Sequence, residues 1–206
     1  FSEVRSTQHI DGFPPLRELQ IFTQFKNSHP SADDLMEYVG SDALTQLLQF
    51  ADVGITNVKI EEGQKDRRKI YFQHGHHKNS WLEAQHESEG TRRLLCLAPF
   101  VFRALKEGSV LLVDELEASL HPALSSELIR LFNEPESNPK NAQLIFTTHD
   151  TNLLSPTDGE PQLRRDQIWF TEKDTNGVTH LYPLTDFKPR NDENLERGYL
   201  QGRYGA

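Results

Sequence analysis

The chain has 206 residues, 35% of them hydrophobic and 26% charged, which allows one domain, or one domain with a small appendage, under a polar surface. With 31 Asp and Glu against 22 Lys and Arg, the net charge is -9, which argues against a broad nucleic-acid-binding surface but not against a local basic patch. No apolar run approaches the ~20 residues of a membrane-spanning helix; no signal peptide opens the chain; and a single cysteine, Cys96, excludes an internal disulfide and fits a reducing cytosol.

The chain opens without Met, which suggests a piece of a longer protein. Residues 1–13 show no clear period. Pro14-Pro15 predicts a helix start, with Leu16, Leu19, Phe22 and Phe25 as an apolar stripe behind it. Residues 27–30 break that pattern, Ser31 then caps a second helix with Asp33 and Asp34 in its first turn, and Gly40 ends or kinks it. Ser41 caps a third, with Leu44, Leu47, Leu48 and Ala51 on one face. Residues 1–54 therefore read as a helical segment, either part of a core or the base of an inserted arm.

From Ile55 to Ile60 the residues alternate as in a half-buried strand; 61–68 is a charged turn, and 69–73 and 81–85 are two further strand candidates. Between them lies His74-Gly75-His76-His77. Clustered histidines suggest a metal site, the alternative being a solvated hairpin tip. No cysteine or paired acid joins the cluster at a recognised spacing, which favours the hairpin tip.

A long helix runs from Gly90, with Leu94, Ala98, Val101 and Leu105 as one stripe and Leu95 and Phe102 beside it. Ser88 and Gly90 stand at its start. Free backbone N–H groups and the helix dipole make such a start an anion site, although Ser is also an ordinary cap. The turn Glu107-Gly108-Ser109 then leads into Val110-Leu111-Leu112-Val113-Asp114-Glu115. Four consecutive apolar residues predict a strand covered on both faces, as in a parallel sheet. Such strands deliver polar residues at their C-terminal ends, where open α/β sheets bind ligands. Two adjacent acids there repel unless a cation or a proton shares the site.

His121-Pro122 opens another helix, with Leu124, Leu128, Leu131 and Phe132 on its buried face, and 134–141 is a polar loop. A second apolar strand, 143–147, ends in Thr148-His149-Asp150. Leu153, Leu154 and Pro156 lead into a loop, and 167–170 is a further strand. Asp174-Thr175-Asn176-Gly177 turns into a strand at 178–184, an Asn-Gly hairpin signal. Residues 186–206 form a polar, Gly-containing tail.

A Ser-x-Gly helix start, a strand ending Asp-Glu and a strand ending in His, in that order, resemble the C-terminal lobe of an ABC-type ATPase. The resemblance covers about half the chain. It implies that residues 110–115 are the Walker B strand, that Leu116 to His121 form the D-loop, with Ala118, Ser119 and Leu120 at its centre, and that His149 is the switch histidine. Ser88, Gly90 and Thr91 take the signature position, although Thr91 stands where the family has Gln, and Glu87 and Glu89 where it has Leu and Gly. Transporter ATPases usually place Pro after the Asp-Glu pair; here it is Leu116. Asp-Glu-Leu-Glu-Ala-Ser-Leu-His-Pro, Thr-Thr-His-Asp-Thr-Asn-Leu-Leu and Gly-Tyr-Leu-Gln-Gly-Arg-Tyr-Gly resemble instead the SMC/RecF/OLD-like branch, and within it bacterial antiphage and abortive-infection AAA ATPases.

The fold implied is α/β and P-loop NTPase-like, a mainly parallel central sheet flanked by helices, with a small antiparallel region and a helical N-terminal segment. Residues 55–206 would be the C-terminal lobe. The resemblance gives Asp114 the magnesium role through a water, Glu115 the polarising of the attacking water, and His149 contact with the γ-phosphate of ATP. Ser88, Gly90 and Thr91 would serve ATP held by a second subunit. No Gly-x-x-x-x-Gly-Lys-Ser/Thr occurs in these residues, so the phosphate cradle is expected in a P-loop lobe of the same protein. The implied assembly is a homodimer, cytoplasmic and without a membrane partner, whose opening and closing controls an effector protein or DNA. A non-catalytic nucleotide-sensing scaffold and a transporter-type motor are the other readings. No Asp-x-Asp pair follows His149, which argues against a nuclease in this chain.

Overall fold

The computed structural model describes residues 19–22, 44–45, 47–48, 54–62, 68–75, 80–118, 120–157, 160–190 and 193–205. The chain divides into two compact units, Phe1–Thr148 and His149–Ala206.

The first unit is built on a parallel sheet. Strand β1 (Leu19–Phe22) pairs with β5 (Val110–Val113), and β5 pairs with β6 (Gln143–Phe146). β5 is the middle strand of the three, as in the parallel sheet its apolar run predicts, but it is buried on one face, at Leu111 and Val113, and half-buried on the other, at Val110 and Leu112. Helix α1 (Glu89–Glu107) packs on β1 and β5, and helix α2 (Pro122–Asn133) packs on β6. Burial selects one face of each: Leu94, Leu95, Ala98, Val101 and Leu105 on α1, and Leu124, Leu128 and Ile129 on α2.

The helix predicted behind Pro14-Pro15 is not formed at residues 19–22. Leu19, Ile21 and Phe22 suit a strand as well as a helical stripe, and the parallel register Leu19↔Val110 to Phe22↔Val113 decides between them. The helix expected at 31–40 lies outside the described residues. Of the next helix, residues 44–45 and 47–48 are helical, with Leu44, Leu47 and Leu48 buried.

The ends of these elements are closed by specific groups. Ser88 caps α1 by accepting the Thr91 amide, and His121 Nδ1 caps α2 by accepting the Ala123 amide, with Pro122 in the first helical turn. Gly108 ends α1 at φ 71°, where a Cβ would lie 2.8 Å from the Lys140 carbonyl oxygen. Buried Asn138 joins α2 to β6: its Nδ2 donates to Phe132 O and Ala142 O, and its Oδ1 accepts the Ala142 amide.

A second, antiparallel sheet in this unit is formed by β2 (Ile55–Glu62), β3 (Arg68–His74) and β4 (Trp81–Glu83). Ile55, Ile70 and Phe72 are buried, while Lys59 lies over the Trp81 ring at 4.5 Å and the Tyr71 ring at 5.2 Å.

The second unit holds two short antiparallel strands, β7 (Pro156–Thr157) and β8 (Glu160–Pro161), and a longer hairpin, β9 (Trp169–Lys173) and β10 (Thr179–Pro183). Asp174 Oδ1 closes the hairpin turn by accepting the amides of Asn176 and Val178, with Gly177 at φ 79°. The residues expected to be a polar tail instead complete a core. Helix α3 (Leu195–Leu200) is followed by Tyr204, which is 2% exposed and stacked on Phe170 at 5.4 Å. Ile168 and Leu184 share this core.

Gly198 is the contact point, since a Cβ there would lie 2.6 Å from the Tyr204 hydroxyl. That hydroxyl is held in place by its bond to Glu193. In an ordinary helix Gly→Ala stabilises by about 1 kcal/mol. Gly198→Ala is expected to do the opposite, lowering stability by about 1–3 kcal/mol through overpacking, as read by urea denaturation.

Candidate functional site

The parallel pairing of β5 with β6 brings Asp114 and Thr147 together at the C-terminal ends of the two strands, one residue beyond the last pair, Val113↔Phe146. The Thr147 hydroxyl donates to Asp114 Oδ1 at 2.6 Å and accepts the Glu115 amide at 2.8 Å. On the backbone, Thr147 N donates to Val113 O, and Leu116 N donates to Thr147 O. One threonine thus holds both acids of the strand end.

Glu115 has φ 49°, a left-handed conformation. For a residue with a Cβ this costs roughly 1–2 kcal/mol and persists only where neighbours enforce it. The neighbours here are Thr147 on its amide and Arg93 on its carbonyl, the Arg93 Nη2 donating to Glu115 O at 2.8 Å. The bend separates the surroundings of the two acids: Asp114 is exposed, and Glu115 is half-buried. Leu116, fully buried, fixes the chain where it leaves the turn.

Arg93 is half-buried on α1, and its Nε finds no acceptor among the described residues. Burial pushes its guanidinium below the ordinary value, and the charges of Glu115 and Glu117 push it back up. Guanidinium remains charged at neutral pH in either case, so a fixed positive charge lies behind the acidic turn. Burial raises the Cys96 thiol above its ordinary value, which leaves it protonated and unreactive.

The start of α1 has Ser88 Oγ accepting the Thr91 amide at 3.1 Å and 2.8 Å from Thr91 Oγ1. When Thr91 donates in that second contact, the Ser88 proton is free for another acceptor. Gly90 lies in the same first turn, half-buried. In the segment after the acids, the Ala118 amide donates to Glu115 O and the Leu120 amide to Glu117 O, and Leu120 is buried; Ser119 lies outside the described residues. His149 opens the second unit and is exposed, with Asp150 after it capping the turn Thr151–Leu154.

Of the histidine cluster, His74 is the member the structure describes, and it has an acidic partner. His74 Nε2 lies 2.7 Å from Glu87 Oε1, and the Glu87 side chain is 4% exposed. His76 and His77 lie outside the described residues. Among the described residues no group of three His, Cys, Asp or Glu is placed to hold a metal ion.

Thr147 and the link from Arg93 to Glu115 were not read from the sequence. The signal for Thr147 is its position two residues before His149, legible only once the β5–β6 register is known.

A parallel sheet whose middle strand ends in two acids, with helices packed on its strands, is an α/β arrangement that fits a P-loop NTPase-type fold. The comparison with solved structures agrees. The chain resembles a structure described as "Structural biochemistry of ATP-driven dimerization and DNA stimulated activation of SMC ATPases", at a TM-score of 0.56 and 15% identity, over 82% of this chain and 92% of that one. The chain belongs to the family described as "AAA domain, putative AbiEii toxin, Type IV TA system", whose model matches residues 12–155. No curated protein matches it. No helix among the described residues is long and apolar enough to cross a membrane.

Two outcomes follow for the acidic turn. Glu115→Gly is expected to be more stable than Glu115→Ala by about 1 kcal/mol, because only glycine adopts positive φ without strain. Thr147→Val is expected to lower stability by about 1 kcal/mol, while Thr147→Ser, which keeps the hydroxyl, loses less. Thermal and urea unfolding of the four variants measure both.

Proposed function

We propose that the chain provides the catalytic acids and the signature of an ATP-hydrolysing, SMC-like ATPase that works as a dimer. The observation that carries this reading is the clasped acidic turn, in which Thr147 holds Asp114 and Glu115 in different surroundings at the end of β5.

The residues fit a magnesium ion that arrives with nucleotide. Such an ion keeps several waters and takes one or two carboxylates besides the phosphates, and Asp114 is an exposed carboxylate with one oxygen on Thr147. Bound there, magnesium would neutralise charge on the phosphate oxygens. Glu115 accepts the proton of the water that attacks the γ-phosphorus as the bond to the β-phosphate oxygen breaks. Ser88 presents its hydroxyl and Gly90 its helix-start N–H to the γ-phosphate of nucleotide held by the other subunit, while Thr91, buried and bonded to Ser88 Oγ, orients that hydroxyl; Ala118, Ser119 and Leu120 are assigned to the dimer contact. His149 contacts the γ-phosphate and senses its loss. The phosphate cradle comes from a P-loop lobe of the same protein.

The family description names a toxin and the structural neighbour's title names ATP-driven dimerisation and DNA stimulation. The first supports a defence role and the second a nucleotide-driven dimerisation linked to DNA; that the dimer controls an effector is part of the proposal.

The test separates the two halves of a composite site. In the intact protein, Glu115→Gln is expected to bind ATP but lose turnover by roughly 10²–10⁴-fold, and Ser88→Arg to be inactive through a blocked phosphate contact. A mixed dimer of the two carries both defects in one site and neither in the other, so turnover should return. Mixing each variant with wild type shows whether one intact site suffices. If those dimers turn over and the two-variant mixture does not, the composite site is wrong.

A further inference from the structure

The residue before Ser88 is an acid that the core has enclosed. The Glu87 side chain is 4% exposed, and its hydrogen-bond partner is His74 Nε2 at 2.7 Å. His74 ends β3, and its backbone is fixed by two bonds to Ser80, its amide donating to Ser80 O and its carbonyl accepting the Ser80 hydroxyl. The next residue is tied down as well, the Gly75 amide donating to Gly54 O at 2.8 Å. On the other side, the Glu87 amide donates to Ala84 O, closing the short turn Ala84–His86 that follows β4. Glu87 therefore stands between the antiparallel sheet and the first turn of α1, one residue from the side chain that caps it.

A carboxylate this enclosed is costly without a partner, and His74 is the partner present. Helix caps are set by the φ and ψ of the residues just before the first turn. Displacing Glu87 therefore shifts the Ser88 hydroxyl and the N–H groups behind it. We infer that the His74–Glu87 pair is a positioning element for the Ser88–Thr91 helix start, coupling its placement to the β2–β3–β4 sheet. The inference rests on the composite-site reading for its catalytic consequence, and on geometry alone for its structural one.

Two measurements test it in the intact protein. Amide hydrogen exchange across residues 88–92 should quicken in His74→Ala and return toward wild type in His74→Gln, whose side-chain N–H can still reach the carboxylate. Misplacements of about 1 Å away from the chemistry can cost roughly a hundredfold in rate, so His74→Ala should lose roughly tenfold to hundredfold in turnover, with most of it restored in His74→Gln. Mixed dimers then locate the defect. His74→Ala should recover turnover with Glu115→Gln and none with Ser88→Arg, because two signature-side defects leave no site whole. A globally misfolded His74→Ala subunit would rescue neither.

Unchanged exchange at 88–92, or turnover of His74→Ala within about twofold of wild type, overturns the inference; so does failure of a His74→Ala subunit that still unfolds cooperatively to rescue Glu115→Gln where Ser88→Arg does. If Ser88→Arg itself fails to rescue Glu115→Gln, the composite-site reading falls, and the exchange result alone decides whether the pair positions the helix start.

Discussion

The arrangement of the site depends on one side chain, the Thr147 hydroxyl, which donates to Asp114 and accepts the Glu115 amide. A parallel strand end leaves its last backbone groups without ladder partners, and those groups must be satisfied by something. Here the neighbouring strand satisfies them, through Thr147 N on Val113 O and Leu116 N on Thr147 O. The chain leaves β5 through a left-handed residue, with Asp114 exposed and Glu115 half-buried beside it.

Arg93 extends this constraint to α1. Its guanidinium reaches the carbonyl of Glu115, so the turn is gripped at its amide from β6 and at its carbonyl from the helix that begins at Ser88. Leaving Arg93 Nε buried with no acceptor among the described residues is unfavourable, which is the kind of local cost that accumulates where positions are dictated by function rather than by packing. In the composite-site reading, the same helix would present its start to a partner's nucleotide while its second turn braces the acid of its own site.

Local patterns made much of the first unit legible. The apolar run at Val110–Val113, the stripe on α1, the His121-Pro122 start of α2 and the alternating residues of β2 each carry their structure in a few consecutive positions. What was not legible depended on distant partners. Leu19–Phe22 reads equally as helix or strand until Val110–Val113 is beside it. Thr147 is an unremarkable threonine until the strand register sets it opposite Asp114. Tyr204 looked like part of a polar tail because only Gly198, six residues earlier, makes room for its ring. His74 pointed to a metal or a solvated tip, since nothing local links it to Glu87, 13 residues on. The roles given to Asp114, Glu115, Ser88 and His149 came from resemblance; what the structure adds is how the first three are held.

The departures from the family pattern at the start of α1 then take on physical sense. In the composite-site reading, two acids flanking Ser88 would oppose the phosphate it receives. Glu87 does not simply add that charge, because it is enclosed by protein and hydrogen-bonded to His74. Glu89 is exposed in the first turn, where the helix dipole favours a negative charge and water screens it, and it contributes to the field at Arg93. A leucine at position 87 would be held by burial alone, without direction. A glutamate there is held by a directional bond to one imidazole, so the helix start follows the position of the hairpin that carries His74. That exchange of an apolar contact for a directed one makes the start of α1 responsive to the β2–β3–β4 sheet.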